Sequence, residues 1–183
     1  MKNFKTLILL GILIISTTLA GCWNNKINNE TWNPTTENSD VINYNDNLMD
    51  YALSCVSSEN DIWSAYDKSS TIEDIQNIIN STITRCNDSS EKINNLWDRN
   101  WDSSLKDAVL AIVKSEINYL WKFNELLPYI EKENLTEEEK SNYDSIIAEI
   151  ETINNELNEA NNKITTTQEQ FAEKYWFELE NIE

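Results

Sequence analysis

The sequence predicts an all-α protein, an antiparallel up-and-down four-helix bundle with a long C-terminal helix. Three observations lead there. From about Val41 onward, apolar residues recur at steps of three and four, which lines them up on one face of a helix. No segment alternates apolar and polar residues with a period of two, so no sheet is expected. Four such segments are joined by short polar links, as antiparallel neighbouring helices require.

In the first segment the stripe is Leu48, Ala52, Cys55, Ile62 and Tyr66, ending at Lys68-Ser69-Ser70. The second opens on Ser70-x-x-Glu73, a spacing at which each side chain can satisfy the other residue's backbone N–H. Its stripe is Ile72, Ile75, Ile79, Thr82, Cys86, Ile93 and Leu96. The polar break Asp98 to Ser104 follows. The third segment carries Leu105, Ala108, Val109, Ile112, Leu120, Phe123 and Leu127. Pro128 should kink or end it near Leu127, with Tyr129-Ile130 as a last turn or restart. Thr136-x-x-Glu139 is a second capping-box spacing. The fourth segment then runs Tyr143, Ile146, Ile150, Ile153, Leu157, Ala160, Ile164, Thr167 and Phe171, a coiled-coil-like alternation of three and four.

The lengths do not match. A third helix of about 30 residues would be about 45 Å long, and a fourth of about 42 residues about 63 Å. The final turns, with Phe171, Tyr175 and Phe177, are therefore expected to overhang and offer an apolar surface to a protein partner. The alternative is that they are bent or covered, by Val41, Ile42 and Tyr44.

Cys55 and Cys86 sit on the first two stripes, symmetric about the Ser70–Thr71 turn. In an antiparallel hairpin such residues face each other, and a disulfide is expected if the chain is exported to an oxidising compartment. The alternative is a pair of buried thiols acting as small hydrophobes.

Export is what the first residues suggest. A basic head, Met1-Lys2-Asn3-Phe4-Lys5, precedes the apolar run Leu7 to Ile15. That run is too short to span a bilayer, which takes roughly 20 apolar residues, and the pattern is that of a secretory signal at residues 1–21. Its end, Leu19-Ala20-Gly21-Cys22, resembles the lipobox of bacterial lipoprotein precursors. The resemblance implies that Cys22 is lipidated and becomes the new N-terminus, anchoring the chain to the extracytoplasmic face of a bacterial membrane. Two or three acyl chains hold stably where a single one holds only marginally. Residues 22–40 then read as a disordered Asn/Thr-rich tether, spanning about 25 Å, ahead of a bundle domain at 41–183.

Removal of the signal takes away Lys2 and Lys5 and no acid, leaving 162 residues with 12 basic and 32 acidic side chains, a net charge of −20. Nucleic acid needs a basic surface and is excluded as a partner. An anionic lipid surface would repel the domain, so lipid rather than charge must hold it there.

The chain has no histidine, and its 2 glycines, Gly11 and Gly21, both lie in the signal. Ordinary usage would place roughly 11 glycines in the mature part. Seven tryptophans are present instead, several at sites natural for glycine. Trp101 follows Asn100 in a turn-like stretch, Trp32 precedes Asn33-Pro34, and Trp176 lies near the end of the last helix. Two readings stay open: a glycine-free, aromatic-rich helical protein, or UGA codons written as tryptophan where the source organism reads glycine.

Without histidine there is no Ser-His-Asp or Cys-His machinery and no Glu-x-x-His di-iron motif. Without mature glycine there is no phosphate-cradling loop. Asp98, Asn100 and Asp102 imitate the start of a Ca²⁺ loop, but Val109 stands where its glutamate belongs. Glu137, Glu138, Glu139, Glu149 and Glu151 read as a solvated face. Glu59 and Glu116 interrupt apolar stripes, and Arg85, near the position facing Glu59, is a candidate partner. They suggest bundle registry first and a polar ligand pocket second. No cofactor, metal or catalytic residue is expected. The layout is similar to small helical surface lipoproteins. It implies a lipid-anchored envelope protein acting as a non-catalytic protein-binding or scaffold module. The alternative is a receptor holding a small ligand or cation between helices.

Overall fold

The computed structural model describes residues 36–56, 62, 64, 71–97, 103–130, 132–175 and 179. Four helices hold nearly all of them: α1 (Thr36–Val56), α2 (Ile72–Asn95), α3 (Ser104–Ile130) and α4 (Glu137–Tyr175). There is no strand among the described residues. The fold is all-α, as the periodicity predicts.

The stripes become the core. Leu48, Ala52, Cys55 and Ile62 from the first segment are buried together with Ile75, Ile79, Cys86 and Ile93 from α2. They meet Leu105, Val109, Ile112, Leu120, Phe123 and Leu127 of α3 in one apolar cluster. Removing this surface from water is the main favourable contribution to folding. In α4 the stripe divides. Leu157, Ile164 and Phe171 are buried, whereas Tyr143, Ile146, Ile150 and Ile153 are only half-buried.

Cross-helix pairs give the chain directions. Tyr129 meets Tyr143 edge-on at 6.5 Å, and Lys122 bonds Glu149 at 2.8 Å, so α3 and α4 run in opposite senses. Cys55–Cys86 and the Lys92 ammonium over the Tyr51 ring do the same for α1 and α2. Lys122 also bonds Glu125, and these two carboxylates hold its ammonium above the usual lysine range, Glu125 contributing more.

Two helix starts carry reciprocal caps. The expected box at Ser70 and Glu73 lies one residue later. Thr71 is the N-cap of α2: the Asp74 N–H donates to Thr71 Oγ1 (3.1 Å) and the Thr71 N–H donates to Asp74 Oδ2 (3.0 Å). Thr136 and Glu139 form the box before α4 as expected, with bonds of 3.2 and 3.0 Å. The Thr71 hydroxyl, then its N–H, lowers the Asp74 pKa; the Lys132 ammonium, then the Thr136 N–H, lowers that of Glu139.

A depressed folded-state pKa means that the caps stabilise fully at pH values above the ordinary carboxylate range of about 4, and lose that contribution as pH falls below it through the lowered pKa. The stability gap between the wild type and an Asp74→Asn, Glu139→Gln variant should therefore be largest near neutrality. It should shrink below about pH 4 in parallel urea titrations. Thr71→Ala should cost about 1 kcal/mol at neutral pH.

One boundary differs from expectation. Helix α1 begins at Thr36, so residues 36–40, assigned to the tether, are helical. The burial of Val41, Ile42 and Tyr44 supplies the packing that helices need. Of the two outcomes expected at Pro128, helix α3 takes the continuation, with Tyr129-Ile130 as its last turn. Proline there removes only one bond, in the last turn, where few remain to be lost.

Candidate functional site

Phe171, expected in an exposed overhang, is 2% exposed. Its ring lies 5.9 Å from that of Tyr44 and 4.7 Å from that of Tyr175. Of the two expectations for this end, cover by the start of the first segment is the one that holds at Phe171. Residues around Tyr44 reach the C-terminal turns of α4 and cover them, and an aromatic ring gains more from that burial than from solvent. Tyr175 is half-buried, and Phe177 lies outside the described residues.

Beside this aromatic contact is a buried polar pair. Gln168 Nε2 donates to Asn45 Oδ1 at 3.1 Å, with both side chains removed from solvent. Asn45 Nδ2 in turn donates to Asp46 Oδ1 at 3.2 Å. The stripe analysis missed the pair because both residues are polar. A spacing signal existed: Asn45 is three before Leu48, and Gln168 is four after Ile164. Gln168→Leu should cost about 1–3 kcal/mol, since Asn45 Oδ1 loses its donor. The double variant with Asn45→Leu should recover much of that, which a double-mutant cycle in urea will read.

Glu116 is 0% exposed, inside α3. Thr82, Ser89 and Asn161 are the other polar residues buried away from the α1–α4 contact. Thr82 Oγ1 and Asn161 Oδ1 have no hydrogen-bond donor or acceptor among the described residues. Arg85 is exposed, beside the buried stripe of α2 and not within it. The expected partner of Arg85, Glu59, is not among the residues the structure describes, and neither are Cys22, Asp98, Asn100 and Asp102. Val109 is a core residue.

Cys55 and Cys86 form a disulfide, with Cα atoms 4.5 Å apart and both side chains fully buried. The bond joins α1 to α2 near the middle of the latter, as the symmetry about the Ser70–Thr71 turn predicts.

The acidic residues behave as a solvated face. Glu137, Glu138, Glu149 and Glu151 are exposed, and Glu139 is engaged in its cap. Among the described residues no group of three or more acidic or thiol side chains is arranged to hold a metal ion. No described helix is long and apolar enough to cross a membrane. On the outer surface, Tyr51, Asp88, Glu91, Lys92, Leu96 and Trp97 line an open groove of about 520 Å³ between α1 and the end of α2. Burial, with a smaller contribution from Asp144, raises the Tyr143 pKa, so its hydroxyl is a hydrogen-bonding group and not a base at neutral pH.

No family model, curated protein or solved structure matches this chain.

Proposed function

We propose that the chain is a lipid-anchored cell-envelope protein whose acidic helical domain is a non-catalytic protein-binding or scaffold module. The observation that carries the anchoring is the box Leu19-Ala20-Gly21-Cys22 at the end of a short apolar run, with a polar stretch behind it. The export it implies agrees with the Cys55–Cys86 disulfide, since such bonds persist in oxidising compartments. Support for a binding module comes from the interior, where apolar side chains of all four helices pack into one cluster and leave the outer faces to meet a partner.

The experiment is expression of the full chain in a bacterium with lipoprotein processing, followed by membrane fractionation and crosslinking. The mature chain should begin at Cys22, carry acyl groups and sediment with membranes, whereas Cys22→Ala should abolish acylation and release the domain once it is cleaved. An unmodified Cys22 in processed chain overturns the anchor. Failure to crosslink any protein from native membranes overturns the partner.

A second reading, a receptor for a small ligand or cation, is favoured by one observation: the carboxyl of Glu116 is wholly inside the bundle. It requires a ligand that raises the thermal midpoint of wild type and not of Glu116→Gln.

A further inference from the structure

We infer that the residues written as Trp97 and Trp121 are glycines in the natural protein, encoded by UGA codons that the source organism reads as glycine, and that the other five tryptophans share this origin. The inference is independent of the proposed function.

Composition raises the question. Both glycines of the chain, Gly11 and Gly21, precede Cys22, and all seven tryptophans follow it. A domain of this size ordinarily uses glycine for about 7% of its residues and tryptophan far more sparingly. The two anomalies cancel if one residue has been written for the other.

The fold supplies the second argument. Trp97 is 71% exposed and Trp121 49%, and they are the exposed large hydrophobics among the described residues. Nearly all the described isoleucine, leucine, valine and phenylalanine side chains are buried or packed against the core. A fold that turns these side chains inward, yet leaves Trp97 and Trp121 out, does not treat those two as hydrophobes. Tryptophan carries one of the largest apolar surfaces, and folded proteins bury most of it.

Trp97 follows Leu96, the residue that closes α2. A glycine there removes a wall of the groove at Tyr51, Glu91 and Lys92, so the groove belongs to the translated text and is no ligand site.

Two tryptic peptides of protein isolated from its source organism test the inference. Cleavage after Lys92 and Arg99 releases residues 93–99, and cleavage after Lys114 and Lys122 releases residues 115–122. Mass spectrometry should find glycine in place of tryptophan in both, and tryptophan in either overturns the inference. The purified native protein should also emit as a tyrosine protein, with no indole fluorescence, whereas indole emission from the pure chain overturns the extension to all seven. The unaltered gene, expressed in a host that reads UGA as stop, should end after Cys22. Full-length product from it means UGG codons and refutes the idea.

Discussion

Phe171→Ala will lower the unfolding free energy by about 3–5 kcal/mol, the range for truncating a buried phenylalanine. The ring is among the least exposed in the domain, held between Tyr44 and Tyr175. Truncation removes its transfer free energy and leaves a gap that the Asn45–Gln168 hydrogen bond beside it prevents from closing freely. Two kinds of contact are thus lost together, because α1 reaches α4 mainly at this end. A half-buried tyrosine has less to lose, so Tyr175→Ala should cost distinctly less. Urea denaturation of the mature domain, followed by far-UV circular dichroism, measures both. A loss below about 1 kcal/mol for Phe171→Ala would place the ring on the surface and restore it as a partner contact.

Removing the Cys55–Cys86 bond should cost about 3–4 kcal/mol. The bond closes a segment with a sequence separation of 31. In the chain-entropy account its chief effect is to restrict the unfolded ensemble. A Cys55→Ala, Cys86→Ala variant should shift the urea midpoint downward by that amount. The shift should come with an increased m-value, since the uncrosslinked unfolded chain exposes more surface. Both sulfurs are wholly buried, so reductant should act slowly on the folded protein and quickly once urea opens it. An unchanged midpoint would mean that the bond adds nothing to the stability of the fold.

Much of this fold is legible in the sequence because the stripes are long and regular. Leu105, Ile112, Leu120 and Leu127 fall at spacings that no strand could satisfy, and the Cys55–Cys86 pairing follows from one turn. Where reading failed, the cause was local ambiguity or distant packing. Ser70-x-x-Glu73 and Thr71-x-x-Asp74 share one spacing, and only the backbone geometry distinguishes them. The start of α1 at Thr36 lies in a polar stretch with no apolar stripe, while Tyr44 a few residues on packs against Phe171 more than a hundred residues away, a tertiary effect that local propensity does not contain. Asn45 and Gln168 were invisible to a hydrophobicity pattern although they occupy core positions. The candidate site was less legible still. Glu116 betrays itself by interrupting a stripe, but nothing in the order of residues tells that Arg85, beside the stripe of α2, stays exposed.

The disulfide has a mechanical meaning as well. A pull on the N-terminal end enters the domain at Thr36 and runs along α1. It can unzip that helix, lifting Tyr44 off Phe171 and then Leu48 from the core, only until it reaches Cys55. There the load passes through a covalent bond into Cys86 and so into the middle of α2. The chain between the two cysteines is shielded from tension. In a force-extension experiment the protein should yield the length of α1 first and then stiffen, with its remaining helices loaded from the side. The cross-link makes α1 a sacrificial strap whose release leaves the rest of the bundle tied.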